Sequence, residues 1–223
     1  MSIFNSTRYE RYKRFAKTWM PMNDAMLSKA SDRMGTAHQK YVEDFVFIHI
    51  NKCGGTSMER ALGIPLLNHD TALDRKRKLG DRRWHSRYKF ALVRHPYDRL
   101  VSLFFYSHRR QNLTADALSA RFPRWLDEIA ELNLSGKAIK NVAPQWSWVS
   151  DNSGKLLLDD LFKLEEIDSR LPELNAHLGK RLRLKRLKKG TTKAVKPDLL
   201  DDQSRSIIHE IYKVDFDRLN YPC

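Results

Sequence analysis

The sequence is poor in cysteine and has no long apolar run. Its two cysteines, Cys53 and Cys223, cannot supply the several bridges of a disulfide-stabilised fold, so we expect both thiols to be reduced. No stretch of about 18 apolar residues is present, and the first residues lack the apolar segment of a signal peptide. These absences predict a soluble, cytoplasmic protein without a transmembrane segment.

Several catalytic signatures are also missing. The chain has no G-x-S-x-G nucleophile elbow, no internal repeat and no group of metal ligands at a workable spacing. Acidic residues are in the minority, with 27 Asp and Glu against 41 Lys and Arg, which gives a formal charge of +14. This surplus predicts an anionic partner. Its sign leaves open a nucleic acid, a membrane surface, a polyanionic sugar or an anionic nucleotide.

The stretch FVFIHINKCGGTSMERALG, residues 45–63, has the pattern of a strand, a glycine-rich turn and a helix. Its β-branched and aromatic start predicts a buried strand of a parallel sheet. The turn follows, and Thr56 and Ser57 open the helix. Because Gly54 and Gly55 carry no side chain, the backbone can approach a ligand closely. The free N–H groups at the helix start then favour a phosphate or sulfate.

A second strand with a functional turn follows further along the chain. Tyr88–Val93 predicts a buried strand, and RHPYDRLVS then starts a helix with proline at its first position. Arg94 can bind a phosphate through two N–H groups, and Ser102, two turns into the helix, adds a hydroxyl donor. Because ligands of open α/β sheets bind at the carboxyl ends of strands, we expect the two turns to form one site.

Both turns resemble motifs of the sulfotransferases that use 3'-phosphoadenosine 5'-phosphosulfate (PAPS). The segment N-K-C-G-G-T-S resembles the family's 5'-phosphosulfate loop P-K-T-x-G-T-S, with Asn51 and Cys53 in place of the usual Pro and Thr. R-x-P-x-x-R-x-x-S, from Arg94 to Ser102, resembles the 3'-phosphate-binding element. Within this group, the chain resembles the carbohydrate sulfotransferases of family 2, such as the uronyl and chondroitin enzymes.

The resemblance continues more loosely towards the carboxyl end of the chain. The segment with Gln145, Trp146 and Trp148 is similar to a Q-x-x-W segment near the family's substrate cleft. Its side chains are expected either to contact sugar or adenine or, more commonly for tryptophan, to lie in the core. Glu165 matches the last residue of the family's R-F-E element, and the terminal Y-x-x-D-F pattern is interpreted as structural.

The resemblance implies an α/β fold over residues 41–223, as a P-loop-like three-layer sandwich with a central, mainly parallel sheet flanked by helices. Residues 1–40 are interpreted as a basic, partly helical extension. The implied activity moves the sulfuryl group of PAPS to an acceptor hydroxyl by in-line displacement, without a metal. We expect a saccharide acceptor, which the positive charge allows to be anionic, and no nucleic acid. The implied PAPS-binding residues are Lys52, Cys53, Gly54, Gly55, Thr56, Ser57, Arg94 and Ser102.

The acceptor hydroxyl needs a base within hydrogen-bond reach, and a histidine suits this role near neutral pH. His69 and His85 are the candidates between the two motifs. His69 falls where the uronyl and related enzymes have an H-x-[ST] histidine, which implies that it is the general base, although some relatives use a glutamate. Lys52 is the implied second catalytic residue, which stabilises charge on the leaving phosphate.

Two alternatives belong to other functional classes. A P-loop-type nucleotide kinase or NTPase would use similar loop geometry, but its lysine follows the last glycine, whereas here the lysine precedes both. It would also need a magnesium carboxylate, for which Asp159 or Asp160 are candidates. A non-catalytic nucleic-acid-binding protein would use the basic run at residues 181–193, which equally suits a loop closing over the donor or a solvated surface. Neither alternative explains the Arg94 and Ser102 pairing.

Overall fold

The structure is a computed structural model that describes residues 35–64, 69–138, 140–184 and 199–223. Most of the predicted extension and most of the basic run therefore lie outside the described residues, although residues 35–41 are helical. In the described ranges, no helix is long and apolar enough to cross a membrane.

Three parallel strands form the centre of the described fold, in the order β1-β2-β3. β1 is Phe45–Ile48, β2 is Tyr88–Val93 and β3 is Asp160–Lys163. All residues of β1 are buried, as are those of β2 from Lys89 onwards, because helices cover the sheet. The prediction of an α/β fold with a parallel central sheet flanked by helices is confirmed. Its carboxyl edge, where the three strands end, carries both motifs.

Helices connect the strands and follow the last one. The first helix after β1 lies between β1 and β2 and starts directly at the glycine-rich turn. The others complete that connection, cross from β2 to β3, or form the carboxyl end of the chain. Their bounds are α1 Gly55–Leu62, α2 Ala72–Leu79, α3 Asp81–His85, α4 Pro96–His108, α5 Ala115–Leu134, α6 Trp146–Val149, α7 Ile167–Leu178, α8 Asp202–Ile211 and α9 Lys213–Leu219.

Most element boundaries follow local signals. α2 begins with a capping box between Thr71 and Asp74 and ends at Gly80, as its sequence predicts. Two helices begin without such a signal. α7 begins after Glu166 and α9 begins after Tyr212, and neither residue makes a side-chain cap.

The core joins the sheet to the helices through aromatic side chains. The Phe90 ring lies 5.1 Å from that of Phe47 and 6.2 Å from that of Phe162, so each strand contributes a ring. Phe104 of α4 and Phe122 of α5 pack edge to face at 5.1 Å. α8 packs on α4 and α5, and α9 packs on α6. The carboxyl end of the chain therefore supports the segments that lead to the sheet edge.

Candidate active site

The turn after β1 has an unusual backbone. Lys52 has a φ of 65° and Gly54 has a φ of 80°, so two residues of this short turn are in the left-handed region. A lysine rarely adopts this conformation, and such strain is common at ligand-binding sites. The Cys53 N–H donates to Ile50 O at 3.4 Å, which closes the turn.

Both glycines of the turn are required by their neighbours. A Cβ on Gly54 would lie 2.6 Å from Cδ1 of Leu164, which follows β3. A Cβ on Gly55 would overlap the ring of His49. The turn is thus enclosed by side chains from the ends of β1 and β3, and only glycine fits at either position.

The start of α1 offers N–H groups to an anion. Ser57 N–H bonds to Gly54 O at 3.0 Å, whereas in the described part of the chain the N–H groups of Gly54, Gly55 and Thr56 have no acceptor. The first turn of α1 contains no acidic residue. Thr56 is exposed and Ser57 is half-buried, so the Thr56 hydroxyl at least is open to solvent. This combination of free donors and helix dipole is a typical anion-binding site.

Cations surround the Lys52 side chain. Its Nζ lies 4.2 Å from the centre of the Tyr106 ring, and the Arg109 guanidinium lies 3.6 Å from the same ring. Partial burial lowers the pKa of Lys52, and the charges of Arg94 and Arg109 lower it further. A bound anion would reduce the repulsion between these like charges. The site therefore has the electrostatics of a polyanion receptor.

Arg94 joins the two motifs. One of its terminal nitrogens donates to Lys52 O at 3.3 Å, and the other lies 3.9 Å from a carboxylate oxygen of Asp98. The turn after β2 is thereby attached to the turn after β1. Arg94 is half-buried, and its side chain is 20% exposed.

Ser102 lies on the face of α4 that is directed towards these turns. It precedes Tyr106 by four residues, so both side chains project from the same helix face. The Tyr106 ring is under the Lys52 ammonium, and this fixes the direction of that face. Lys52 and Arg94 are thus in contact, and Ser102 lies one turn of α4 before the Tyr106 ring that Lys52 contacts.

Cys53 occupies a different environment from its neighbours. Its side chain is fully buried below the turn, where Sγ donates to Gln145 Oε1 at 3.1 Å. Burial raises the pKa of the Cys53 thiol to about 12. Its side chain therefore contributes to the support of the loop, and its N–H group is already used within the turn.

His69 is held beside the end of β1. Its Nδ1 lies 3.1 Å from His49 O. Because a carbonyl only accepts, Nδ1 carries the proton, and Nε2 of the neutral ring is left as a proton acceptor. Partial desolvation lowers the pKa of His69, and the adjacent His49 acts in the same direction. The ring is thus neutral near pH 7, as a general base requires.

His49 orients this neighbour and is itself fixed. Its Nδ1 bonds to the buried Glu59 carboxylate at 2.8 Å, and its ring meets that of His69 edge to face with centroids 4.3 Å apart. His85, in contrast, ends α3 shortly before β2 begins, so it lies at the amino edge of the sheet. Of the two candidate histidines, only His69 lies near the glycine turn.

The carboxylates of the NTPase alternative are also at the amino edge. Asp160 starts β3 and accepts a hydrogen bond from the Tyr88 hydroxyl at 2.8 Å. Asp159 accepts from Lys89 N–H at 2.8 Å and pairs with the Lys89 ammonium. Among the described residues, no group of three or more His, Cys, Asp or Glu side chains could hold a metal ion.

Sequence reasoning missed the buried polar groups behind the site. Arg99, only 3% exposed, donates to Asn51 O and Asn51 Oδ1 and to carbonyls of the segment before α6. The second arginine of R-x-P-x-x-R-x-x-S was a visible signal for this. Asn51 replaces the usual proline of the loop, and its amide completes the network by donating to Asn141 O at 3.0 Å.

The segment after Asn141 supports the site from the core. Gln145 and Trp148 are fully buried, and the half-buried Trp146 donates from Nε1 to Gly154 O at 3.1 Å. The expectation that tryptophan lies in the core is confirmed for Trp148. Glu165, after β3, accepts from His95 N–H at 2.9 Å and from the Tyr221 hydroxyl at 3.0 Å.

Comparison with known families now decides the assignment. A model of the sulfotransferase family matches residues 38–222, which is most of the chain. The chain belongs to the sulfotransferase family. Neither the comparison with curated proteins nor that with solved structures gives a match. The predicted family is therefore confirmed, and this sulfotransferase has its glycine-rich turn and its Arg94 turn at the carboxyl edge of its parallel sheet.

Proposed function

We propose that this sulfotransferase transfers the sulfuryl group of PAPS to a hydroxyl of a carbohydrate acceptor. The hydrogen bond from Arg94 to Lys52 O carries the proposal, because it connects the two phosphate motifs. The start of α1, in the same turn as Lys52, adds N–H groups without an acceptor among the described residues, which suits a phosphosulfate. The two glycines let Leu164 and the His49 ring pack against this turn and so hold its shape.

Each residue has a role that its surroundings support. The N–H groups of Gly54, Gly55 and Thr56 bind the 5'-phosphosulfate together with the Thr56 and Ser57 hydroxyls. Arg94 and Ser102 bind the 3'-phosphate, which is the feature that distinguishes PAPS from common nucleotides. Arg109, whose charge already acts on Lys52, adds to the positive potential.

In the transfer, the acceptor oxygen bonds to sulfur as the bond from sulfur to the 5'-phosphate oxygen breaks. Nε2 of His69 takes the hydroxyl proton, and its lowered pKa keeps it unprotonated before the step. The electron pair of the broken bond stays on the phosphate oxygen. Lys52 and the helix N–H groups stabilise the charge that develops there, without a metal.

Binding calorimetry tests the donor assignment. We expect 3',5'-diphosphoadenosine (PAP), the product left by PAPS, to bind more tightly than 5'-AMP or ATP with magnesium in the same buffer. Because charge-assisted contacts to phosphate contribute about 1.5–3 kcal/mol, the difference between PAP and 5'-AMP should be at least about tenfold. Tighter binding of ATP would overturn the donor assignment and favour the kinase alternative.

The carbohydrate acceptor is tested separately, by transfer of labelled sulfate from PAPS to neutral and anionic oligosaccharides. The positive charge of the chain leads us to expect faster transfer to the anionic ones at low salt, with the advantage decreasing as salt rises. Transfer to simple phenols or alcohols but to no saccharide would overturn this part of the proposal and leave the donor assignment intact.

A further inference from the structure

The buried side chain of Gln145 bonds to both turns of the site. Its Oε1 accepts from Arg94 N–H at 2.8 Å and from Cys53 Sγ at 3.1 Å. Its Nε2 donates to Arg94 O at 2.8 Å and to Asp215 Oδ2 at 3.3 Å. The amide therefore fixes the backbone on both sides of the Arg94 Cα and, through the thiol, the residue next to Lys52.

Asp215, at the start of α9, holds Gln145 in place. Its carboxylate is completely buried and accepts from the N–H groups of Gln145 at 2.7 Å and Trp146 at 2.8 Å. A buried carboxylate is unfavourable unless its oxygens are well satisfied, and here backbone donors meet both of them. The last helix is thus connected, through two side chains, to the turns at the sheet edge.

We propose that Gln145 is a positioning residue that sets the Arg94 turn against the Lys52 turn, with Asp215 fixing the orientation of its amide. The binding consequence of this inference rests on the proposed function, whereas its structural consequence does not. A single amide that bonds to both turns couples their positions. Its loss should therefore weaken binding of the 3'-phosphate more than binding of the rest of the nucleotide.

A purely structural role for Gln145 leads to different expectations. A buried amide that only satisfies its neighbours would, when replaced, lower the stability of the whole fold. The affinities for PAP and 5'-AMP would then change equally, and Cys53 would react only as fast as the protein unfolds. A positioning role instead predicts local opening of the turns well below the unfolding transition.

The experiment compares Gln145→Met with Gln203→Met, which makes the same replacement at an exposed position of α8. Both are made in a Cys223→Ser background, so that the thiol reagent DTNB reports on Cys53 alone. In the parent protein, burial and the raised pKa of Cys53 predict very slow labelling. In Gln145→Met we expect labelling at least about tenfold faster under native conditions, because several buried groups lose their partner.

Binding provides the second measurement. In Gln145→Met we expect the ratio of PAP affinity to 5'-AMP affinity to fall about tenfold, because Arg94 loses both of its backbone bonds to the amide. Gln203→Met should change neither measurement. Slow labelling together with an unchanged affinity ratio would overturn the proposal. If even the parent does not bind PAP, the proposed function fails, and the labelling rate alone decides the role of Gln145.

Asp215→Asn provides a milder variant should Gln145→Met not fold. It preserves the shape of the side chain but replaces one of the two oxygens that accept hydrogen bonds from the Gln145 and Trp146 segment. We expect faster Cys53 labelling than in the parent. A labelling rate equal to that of the parent would overturn the part assigned to Asp215.

Discussion

The turns after β1 and β2 lie side by side but are built from different groups. The first contains two glycines, has Lys52 and Gly54 at positive φ, and presents backbone N–H groups. The second contains no glycine, places Pro96 at the first position of α4 and presents the Arg94 side chain. One turn can bind an anion by close approach of its backbone, and the other by a long charged side chain.

The two turns also differ in what keeps them in place. Side chains of His49 and Leu164 enclose the first, so its shape depends on packing against residues 54 and 55. The Gln145 amide holds the second at its backbone, by accepting from Arg94 N–H and donating to Arg94 O. Steric changes should therefore damage the first turn most, whereas the loss of polar groups should damage the second.

Among the variants that test this comparison, Lys52→Ala is expected to have the largest effect, which is a loss of turnover. Removal of a cation that acts mainly on the developing charge should lower kcat about a thousandfold, with PAP binding mostly retained. Single-turnover rates and PAP calorimetry measure the two effects, and Lys213→Ala, an exposed lysine of α9, is the matched control. Normal turnover in Lys52→Ala would contradict the catalytic role of the first turn.

Gly55→Ala is expected to damage the same turn by steric overlap. The new Cβ would meet the His49 ring, so the unfolding free energy should fall by about 2–3 kcal/mol and PAP should bind more weakly. Gly63→Ala is the control, because a Cβ added there would meet no atom within 4 Å beyond its chain neighbours. Only its φ of 68° should lower the unfolding free energy, by about 1 kcal/mol. Urea denaturation measures both values. An equal fall in unfolding free energy in the two variants would mean that contact with His49 does not determine the shape of the turn.

Arg94→Ala should affect the second turn through polar contacts alone. We expect PAP affinity to fall by about tenfold to a hundredfold and 5'-AMP affinity to fall much less, since the arginine is assigned to the 3'-phosphate. Calorimetry with both nucleotides measures the difference. Equal losses would show that Arg94 acts through its bond to Lys52 O, and would remove the assignment of the 3'-phosphate.

The strands and turns could be predicted because their signals are local. The apolar runs at β1 and β2, the proline of α4 and the glycines around α1 determine backbone shape within a few residues. The two motifs and their common edge follow from this pattern. Even the preference for His69 over His85 agrees with the edge on which each lies.

The groups that connect the two turns could not be predicted, because their partners are distant in the chain. Gln145 bonds to residues 51, 92 and 70 positions away. Arg99 reaches Asn51, 48 positions away. Nothing near these residues in the sequence indicates which partners a fold will bring to them. The stacking of Lys52 and Arg109 on Tyr106 likewise depends on how α4 packs beside the first turn.

The pH dependence of kcat/KM is the smallest of the expected effects, and it tests the roles of His69 and Lys52 beside the first turn. His69 acts when neutral, and its lowered pKa places the acid limb of kcat/KM below pH 6.5. Below that pKa, kcat/KM should fall about tenfold per pH unit. Lys52 acts when charged, and its lowered pKa places the basic limb below pH 10.5.

His69→Gln should remove the acid limb, whereas the same change at His85, at the opposite edge, should leave the profile unaltered. An acid limb that survives in His69→Gln would show that another group is the base. His49, which is in edge-to-face contact with His69, would then be the first residue to substitute.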